Sequence, residues 1–250
     1  MSTRLRIMGL LGVLVIGAAL TVQGGARAQE FRLHSVFQVL VIDKTNGHAL
    51  AAGTGFFIKA DGTALTNSHI VYPVKARRLV YEALAIVNRE LYGVEIVCAS
   101  DLPYDPTAPG PHGAGRDVAE IRLVAPREYE LTYDRIRLSG HYGPLPKFRP
   151  IPLGDDPAVG DSVRILGFGD LTSPLPYEWS AAGRVSEIGR APDGTPVFNV
   201  TFTRKTEPGH SGSPVLNTKD EVVGIHTWHL ASDPTTGLEI SSSALKPACP

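Results

Sequence analysis

The stretch TEPGHSGSPVLN, residues 206–217, places Ser211 among glycines and ends in a short apolar run. Gly209, Gly212 and Pro214 are residue types that favour turns, so one interpretation is a plain turn between two strands. The other interpretation gives the backbone around Ser211 a role of its own, because glycine adopts conformations that other residues avoid. The choice depends on what the rest of the chain supplies to this serine.

The surrounding sequence is typical of an all-β protein. The chain has 250 residues, of which 43% are hydrophobic and 20% are charged, which is enough for a sizeable core. Short β-rich runs alternate with turn signals such as Asn46-Gly47, Asp61-Gly62 and Asp193-Gly194. This pattern predicts a β-sandwich or β-barrel. The clearest runs are SVFQVLVI, GTGFFIKA, ALTNSHIV, VEIVCA, VAEIRLV, SVRILGFG, VFNVTFT and EVVGIHTW.

A proline-rich segment, GPLPKFRPIP at residues 143–152, divides the chain into two units of similar size. Proline stiffens linkers and cannot donate a hydrogen bond within a central sheet. We therefore expect one β unit over residues 29–145 and a second over residues 146–250. Within the first unit, KARRLVYEALAIVNREL at residues 75–91 fits either a helix or a pair of strands.

The first 28 residues have the pattern of a secretory signal peptide. Arg4 and Arg6 precede a short apolar run, and Ala26-Arg27-Ala28 forms an A-x-A cleavage site. An uncleaved anchor is the alternative, although the run is short for a membrane span. We expect cleavage after Ala28 and a secreted or periplasmic mature chain without stable membrane association. Loss of three arginines and no acid changes the net charge from −1 to −4, and no basic run remains that would bind nucleic acid.

The cysteines and histidines do not indicate a metal or a cofactor. No Cys/His cluster has the spacing of zinc ligands, so we expect none. Cys98 and Cys249 are the two cysteines of the chain. An exported protein can keep a disulfide, and two cysteines allow one intramolecular pairing. Because the distance between them is not encoded in the sequence, both the bridged and the free states stay open.

Ser211 would be a nucleophile only if a base removed its proton, and the usual base is a histidine oriented by a carboxylate. His69, in ALTNSHIV, follows a strand-like run, and Asp117, in GRDVAEIRL, precedes one. Taken singly, such a histidine is usually structural and such an aspartate usually caps a turn. Their joint occurrence with Ser211 favours a catalytic interpretation.

These three motifs resemble those of the trypsin-like (chymotrypsin-fold) serine peptidases. The serine motif G-x-S-G-x-P matches GHSGSP, and the order His69, Asp117, Ser211 with separations of 48 and 94 residues fits that family. The resemblance extends over residues 31–230. It implies two antiparallel β-barrels with the active site in the cleft between them. The α/β-hydrolase pattern is excluded because it requires G-x-S-x-G and the order Ser, Asp, His.

The resemblance also implies a role for each residue. Ser211 would attack the scissile carbonyl and form an acyl-enzyme, His69 would transfer the proton, and Asp117 would hold the imidazole tautomer. The backbone N–H groups of Gly209 and Ser211 would bind the oxyanion. On this basis the chain is expected to be a serine endopeptidase acting on polypeptides.

Within the family, PGHSGSPVLNTKDEVVGIHTW resembles the V8-type glutamyl endopeptidases. That similarity places Thr206 and His226 in a pocket that reads a glutamate side chain at P1, since hydroxyl and imidazole groups can donate to a carboxylate. It places Trp228 on the wall of the substrate cleft. The alternatives are a buried structural histidine and a core tryptophan. ALTNSHIV, GDSVRILGFG and AAGRVSEIG also resemble the HtrA-type peptidases.

One departure from the family concerns position 210, where digestive members have an aspartate that pairs with a newly cut N-terminus. The chain has His210 there, so we expect that activation switch to be absent. Two other hypotheses stay open. In the first, the chain is a catalytically silent, peptide-binding member of the fold. In the second, it is a zymogen that awaits removal of residues after position 28.

Overall fold

The structure is a computed structural model, and it describes residues 35–72, 81–100, 116–132, 135–141, 144–169, 177–230 and 232–246. The predicted signal peptide, residues 1–28, and the expected mature start at Gln29 lie outside these ranges. Within them, no helix is long and apolar enough to cross a membrane. Cys98 is disulfide-bonded, and Cys249 lies outside the described residues.

Six antiparallel strands form the first barrel. They pair in the order β3-β2-β1-β4-β5-β6, and pairing of the third strand with the sixth closes the barrel. A further strand, β7 (Arg135–His141), pairs with the sixth. The six are β1 (Val36–Asp43), β2 (Ala49–Phe57), β3 (Thr63–Thr66), β4 (Tyr81–Val87), β5 (Glu90–Ala99) and β6 (Ala119–Thr132).

The ambiguous segment at residues 75–91 contains a strand pair in its described part. β4 is joined to β5 by a two-residue turn, and the pairing of Val87 with Glu90 closes it. Asn88 and Arg89 both have positive φ, at 48° and 69°. Two such residues in succession match the right-handed twist of the flanking strands. The helical alternative is therefore wrong for residues 81–91.

Six more strands form a second closed barrel, in the order β10-β13-β12-β11-β8-β9. A 3₁₀ turn, Ser242–Leu245, follows the last strand. The prediction of two antiparallel β-barrels is thereby confirmed. The strands are β8 (Ser162–Gly169), β9 (Tyr177–Arg190), β10 (Pro196–Phe202), β11 (Pro214–Leu216), β12 (Val222–Leu230) and β13 (Asp233–Ser241).

The segment between the barrels contacts both. Ile151 N donates to Phe57 O of the first barrel at 2.8 Å, and Gly154 N donates to Val222 O of the second at 2.8 Å. The expected boundary between residues 145 and 146 falls within this segment. One apolar cluster contains side chains from both barrels, so the barrels share a core. Its members include Val36, Phe56, Leu65 and Val118 of the first half and Leu166, Leu216, Ile225 and Ile240 of the second.

Thr54, on β2, joins the first barrel to the loop that carries Ser211. Its N–H donates to Ser211 O at 2.8 Å, and its hydroxyl donates to Gly209 O at 3.0 Å. The same hydroxyl accepts from Phe168 N of the second barrel at 3.0 Å. Thr54 is fully buried, so water cannot pair with its polar groups. These hydrogen bonds provide the partners instead.

We expect Thr54→Val to lower the free energy of unfolding by about 2 kcal/mol, because the isosteric methyl group leaves the Phe168 N–H and the Gly209 carbonyl without a partner. Urea denaturation measures the change. Thr54→Ser keeps the hydroxyl and is the matched control, with a smaller loss that reflects one missing methyl group. Equal stability of the valine variant and the wild-type protein would contradict this assignment.

Candidate active site

Strand register brings His69 and Asp117 together. Thr66, the last residue of β3, pairs with Ala119, the first residue of β6. In an antiparallel pair, the chain leaving one strand runs beside the chain entering the other. His69 lies in a single helical turn, α1 (Ser68–Val71), directly after β3, and Asp117 precedes β6. The two residues, 48 apart in sequence, therefore meet at one end of the first barrel.

The Asp117 carboxylate makes two contacts with His69. Oδ2 lies 2.5 Å from the ring Nδ1, and Oδ1 accepts the His69 backbone N–H at 3.0 Å. Asp117 is fully buried, whereas the His69 side chain is 22% exposed. A carboxylate accepts hydrogen bonds, so Nδ1 carries a proton and Nε2 of the neutral ring has a free lone pair. This tautomer is the one that a general base requires.

A second set of hydrogen bonds holds this pair in place. Asn67 Nδ2 donates to Asp117 O at 2.6 Å and to Thr227 Oγ1, on β12, at 3.2 Å. Ser68 Oγ donates to Val118 O at 2.8 Å. Asn67, Ser68 and Thr227 are all buried, so the pair is fixed by groups from both barrels.

Ser211 lies in the loop between β10 and β11, and its neighbours explain the two glycines of the opening stretch. Gly209 and Gly212 have φ of 105° and 84°, in the region that favours glycine. A Cβ on Gly212 would lie 2.0 Å from Thr54 O, so no side chain fits there. The backbone of this loop is thus specialised, and the interpretation as a plain turn is not sufficient.

Ser211 Oγ is hydrogen-bonded to β12 rather than to His69 in this conformation. Its hydroxyl donates to Thr227 O at 3.2 Å, and no hydrogen bond joins Ser211 to His69 among the described residues. The structure brings two of the three predicted residues into direct contact and places the third against β12. Trp228 of the same strand stacks on His69, with ring centroids 4.9 Å apart and an interplanar angle of 24°.

The N–H groups predicted to bind an oxyanion differ from their neighbours in the same loop. Neighbouring groups are paired: Gly212 N donates to His226 O at 2.8 Å and His210 N to Glu207 O at 3.1 Å. Within the described part of the chain, the N–H groups of Gly209 and Ser211 donate to nothing. Unpaired N–H groups are unusual in a folded protein and leave two donors beside Ser211.

The predicted pocket residues lie around the β12–β13 hairpin. Thr206 is buried, and its N–H and hydroxyl both donate to Pro234 O of β13, at 2.9 and 3.3 Å. His226 is 2% exposed, and its Nδ1 lies 3.0 and 3.2 Å from the two carboxylate oxygens of Glu239. Trp228 is half-buried against His69 rather than in the apolar core.

Glu239 contacts a residue of the predicted pocket, His226, and the sequence analysis missed it. It is fully buried on β13, directly opposite His226 in the strand register. A glutamate within the apolar run GLEIS was the available signal, since a buried carboxylate needs a partner.

His210 is buried beside Ser211 and orders the same loop. Its Nδ1 accepts the Glu207 N–H at 2.9 Å, and its ring stacks on Trp179 at a centroid distance of 3.9 Å. The Arg204 guanidinium lies over the same tryptophan at 5.5 Å. Burial lowers the pKa of His210 to about 3, and the positive charges of His226, Arg204 and His229 act in the same direction. His210 is therefore neutral at physiological pH.

Among the residues that the structure describes, no group of three or more His, Cys, Asp or Glu side chains is placed to hold a metal ion. The chemistry that this arrangement can perform is proton transfer by His69 and nucleophilic attack by Ser211.

The fold and the site define a two-barrel protein with a histidine–aspartate pair and a serine on a glycine-rich loop. The chain belongs to the trypsin-like peptidase family, because the family model for the trypsin-like peptidase domain matches residues 53–225.

Two groups of relatives are similar to this chain. The glutamyl endopeptidase of Staphylococcus epidermidis is 28% identical over 178 residues, which cover 70% of this chain and 53% of that protein. Protease Do-like 1, chloroplastic, of Arabidopsis thaliana is 27% identical over 184 residues, covering 70% of this chain and 33% of that protein. The chain thus spans about half the length of the glutamyl endopeptidases it matches.

Among solved structures, the active form of the Rv3671c protease from M. tuberculosis aligns with a TM-score of 0.57 and 17% identity, covering 98% of this chain and 92% of that chain. The inactive form aligns with a TM-score of 0.55 and 18% identity, covering 92% of each. These likenesses support the two-barrel fold.

The neutral His210 predicts a loss of stability on mild acidification. The unfolded chain binds a proton near the ordinary pKa of 6.5, whereas the folded chain binds it only near pH 3. As pH falls between these values, protonation favours the unfolded state, by up to about 1.4 kcal/mol per pH unit. We expect His210→Asn, which does not titrate, to show a shallower fall in the free energy of unfolding between pH 7 and 4.5.

Denaturant unfolding at several pH values measures this slope. Ser186→Ala, which changes an exposed residue on β9 that does not titrate in this range, is the control and should keep the wild-type slope. The same slope in His210→Asn and wild-type protein would show that His210 does not titrate in this way.

Proposed function

We propose that this chain is a serine endopeptidase in which His69, Asp117 and Ser211 cleave peptide bonds through an acyl-enzyme. The observation that carries the proposal is the buried Asp117 carboxylate, which makes both a 2.5 Å contact with His69 Nδ1 and a 3.0 Å bond with His69 N. A buried carboxylate that orients one imidazole leaves the other ring nitrogen as a base.

In the first step, the Ser211 hydroxyl turns from Thr227 O towards His69. Rotation about one side-chain torsion is a small change, and hydrogen bonds between a nucleophile and its base are often loose without substrate. Nε2 of His69 takes the serine proton as Oγ attacks the scissile carbonyl. His69 then gives that proton to the leaving amine, and water hydrolyses the acyl-enzyme by the same path in reverse. Asp117 is the positioning residue for His69 and stabilises the imidazolium.

The tetrahedral intermediate has a negative oxygen, for which the N–H groups of Gly209 and Ser211 are the proposed donors. Both groups are unpaired in the described part of the chain. Donors that are already oriented need no reorganisation during the reaction, and one such donor contributes about 3 kcal/mol in comparable enzymes.

For the substrate, we propose a side chain of glutamate size with a polar end at P1. Thr206 and His226 support this, since both are buried at the β12–β13 hairpin and Trp228 of the same strand lies at His69. Some relatives are named glutamyl endopeptidase, which makes glutamate one candidate for this P1 side chain. Export to the periplasm or the medium, with residues 1–28 removed, completes the proposal.

Cleavage-site mapping tests the activity. Protein exported from its expression host, with its N-terminus determined by mass spectrometry, is incubated with a denatured proteome, and new termini are sequenced. We expect cuts that disappear in Ser211→Ala, with the rate falling about 10⁶-fold because the nucleophile is absent. Ser186→Ala, an exposed serine on β9, is the matched control and should cut like the wild-type protein.

If folded, processed wild-type protein makes no cuts, the endopeptidase proposal is wrong. In that case, binding of the same peptides without turnover would identify the silent module. Activity that appears only after further N-terminal trimming would identify a zymogen.

Asp117→Asn should lower kcat about 10⁴-fold at neutral pH. An amide can donate to Nδ1, so the ring would adopt the tautomer with its lone pair on the wrong nitrogen. Initial rates on a fluorogenic peptide taken from the cleavage map measure the loss. Asp220→Asn, the same chemical change at an exposed residue paired with Arg164, is the control and should leave kcat unchanged. A decrease of less than tenfold in Asp117→Asn would show that His69 does not depend on this carboxylate.

A further inference from the structure

A second carboxylate–histidine pair lies in the proposed P1 pocket. Glu239 is 0% exposed and His226 is 2% exposed, and the two residues face each other across β12 and β13. Both carboxylate oxygens approach Nδ1, at 3.0 and 3.2 Å. His226 is the only hydrogen-bond partner of this carboxylate among the described residues. The protein therefore places a carboxylate of its own beside His226 Nδ1.

Packing holds the Glu239 side chain at the imidazole. A Cβ on Gly237 would lie 2.4 Å from Glu239 Oε1 and 3.1 Å from His226 Cε1, so glycine at 237 leaves the space that the pair occupies. Phe202 meets the His226 ring edge-on, with centroids 6.0 Å apart. Phe202 and the strand backbone surround the pair. They restrict movement of the carboxylate away from Nδ1.

The position of Glu239 determines what His226 can offer a substrate. A carboxylate at Nδ1 requires the proton on that nitrogen, so the neutral ring presents a bare lone pair at Nε2. A lone pair accepts a hydrogen bond from an amide N–H, whereas a carboxylate has no proton to donate. If the ring is doubly protonated, Nε2 donates, but the positive charge is already neutralised by Glu239. A substrate carboxylate then adds a second anion to a buried site, which is unfavourable.

We propose that Glu239 is a specificity-determining residue that shifts the P1 preference from glutamate towards its neutral isostere, glutamine. In both protonation states of His226, the amide gains the better partner and avoids the like charge. The Thr206 hydroxyl donates to Pro234 O, so its remaining lone pairs would accept a hydrogen bond from the N–H₂ group of the same amide. This inference rests on the proposed endopeptidase activity and concerns only which side chain the pocket accepts.

The test compares two peptides that differ only in glutamate or glutamine at P1, derived from the cleavage map. We expect wild-type protein to have the higher kcat/KM for glutamine. Glu239→Gln removes the anion, and the new amide can donate to Nδ1. The proton of the neutral ring is then on Nε2, which can donate to a substrate carboxylate. We therefore expect the glutamate-to-glutamine ratio of kcat/KM to rise about tenfold or more in this variant. The ratio cancels any change in the catalytic step that affects both peptides equally.

Glu187→Gln, the same charge change on the exposed face of β9, is the matched control and should keep the wild-type ratio. An unchanged or lower ratio in Glu239→Gln would overturn the proposal, and a lower one would mean that Glu239 assists acid recognition. If the variant does not fold, as judged by circular dichroism, the wild-type comparison decides alone: faster cleavage after glutamate overturns the proposal. Absence of cleavage of both peptides by wild-type protein indicates failure of the endopeptidase proposal instead.

Discussion

The hydrogen bonds of Thr54 hold the two halves of the site together. His69 and Asp117 belong to the first barrel, and Ser211 belongs to the second, so the reaction needs one fixed relation between separate sheets. Thr54 supplies it through its N–H, which binds Ser211 O, and its hydroxyl, which binds Gly209 O and Phe168 N. Thr54 is fully buried, and an unmade hydrogen bond costs most where water is excluded. The requirement for glycine at 212 has the same origin, because Thr54 O occupies the place of a side chain.

Strand β12 provides the second connection, and it links the proposed pocket to the proposed catalytic groups. Three consecutive residues of this strand contact the site. The His226 backbone pairs with the loop of Ser211, and Thr227 O accepts a hydrogen bond from the Ser211 hydroxyl. Trp228 stacks on His69. A displacement of this strand would therefore move the proposed P1 pocket and Ser211 together. Such coupling suits an enzyme in which binding of the P1 side chain also orients the scissile bond.

The sequence predicted the parts of the site that depend on local motifs. His69, Asp117 and Ser211 stand out because each lies in a short recognisable segment, and the all-β fold follows from strand-like runs separated by turns. Glu239 did not stand out, because its pairing with His226 depends on the register between two strands rather than on spacing in sequence. The contact of Ser211 with Thr227 is a choice of rotamer, which sequence does not encode. The role of His210 depends on its burial against Trp179, a residue 31 positions away that no motif connects to it.

The two carboxylate–histidine pairs show how one arrangement serves two purposes. In both, a fully buried carboxylate faces Nδ1 and fixes the proton there, leaving Nε2 as the ring nitrogen with a free lone pair. The His69 side chain is 22% exposed, so its Nε2 can accept a proton and pass it on as the reaction proceeds. The His226 side chain is 2% exposed, and a proton added there would remain in a site from which water is largely excluded. The two proposed roles follow this difference: proton transfer at His69, which solvent reaches, and selection of a neutral P1 side chain at His226, from which solvent is largely excluded.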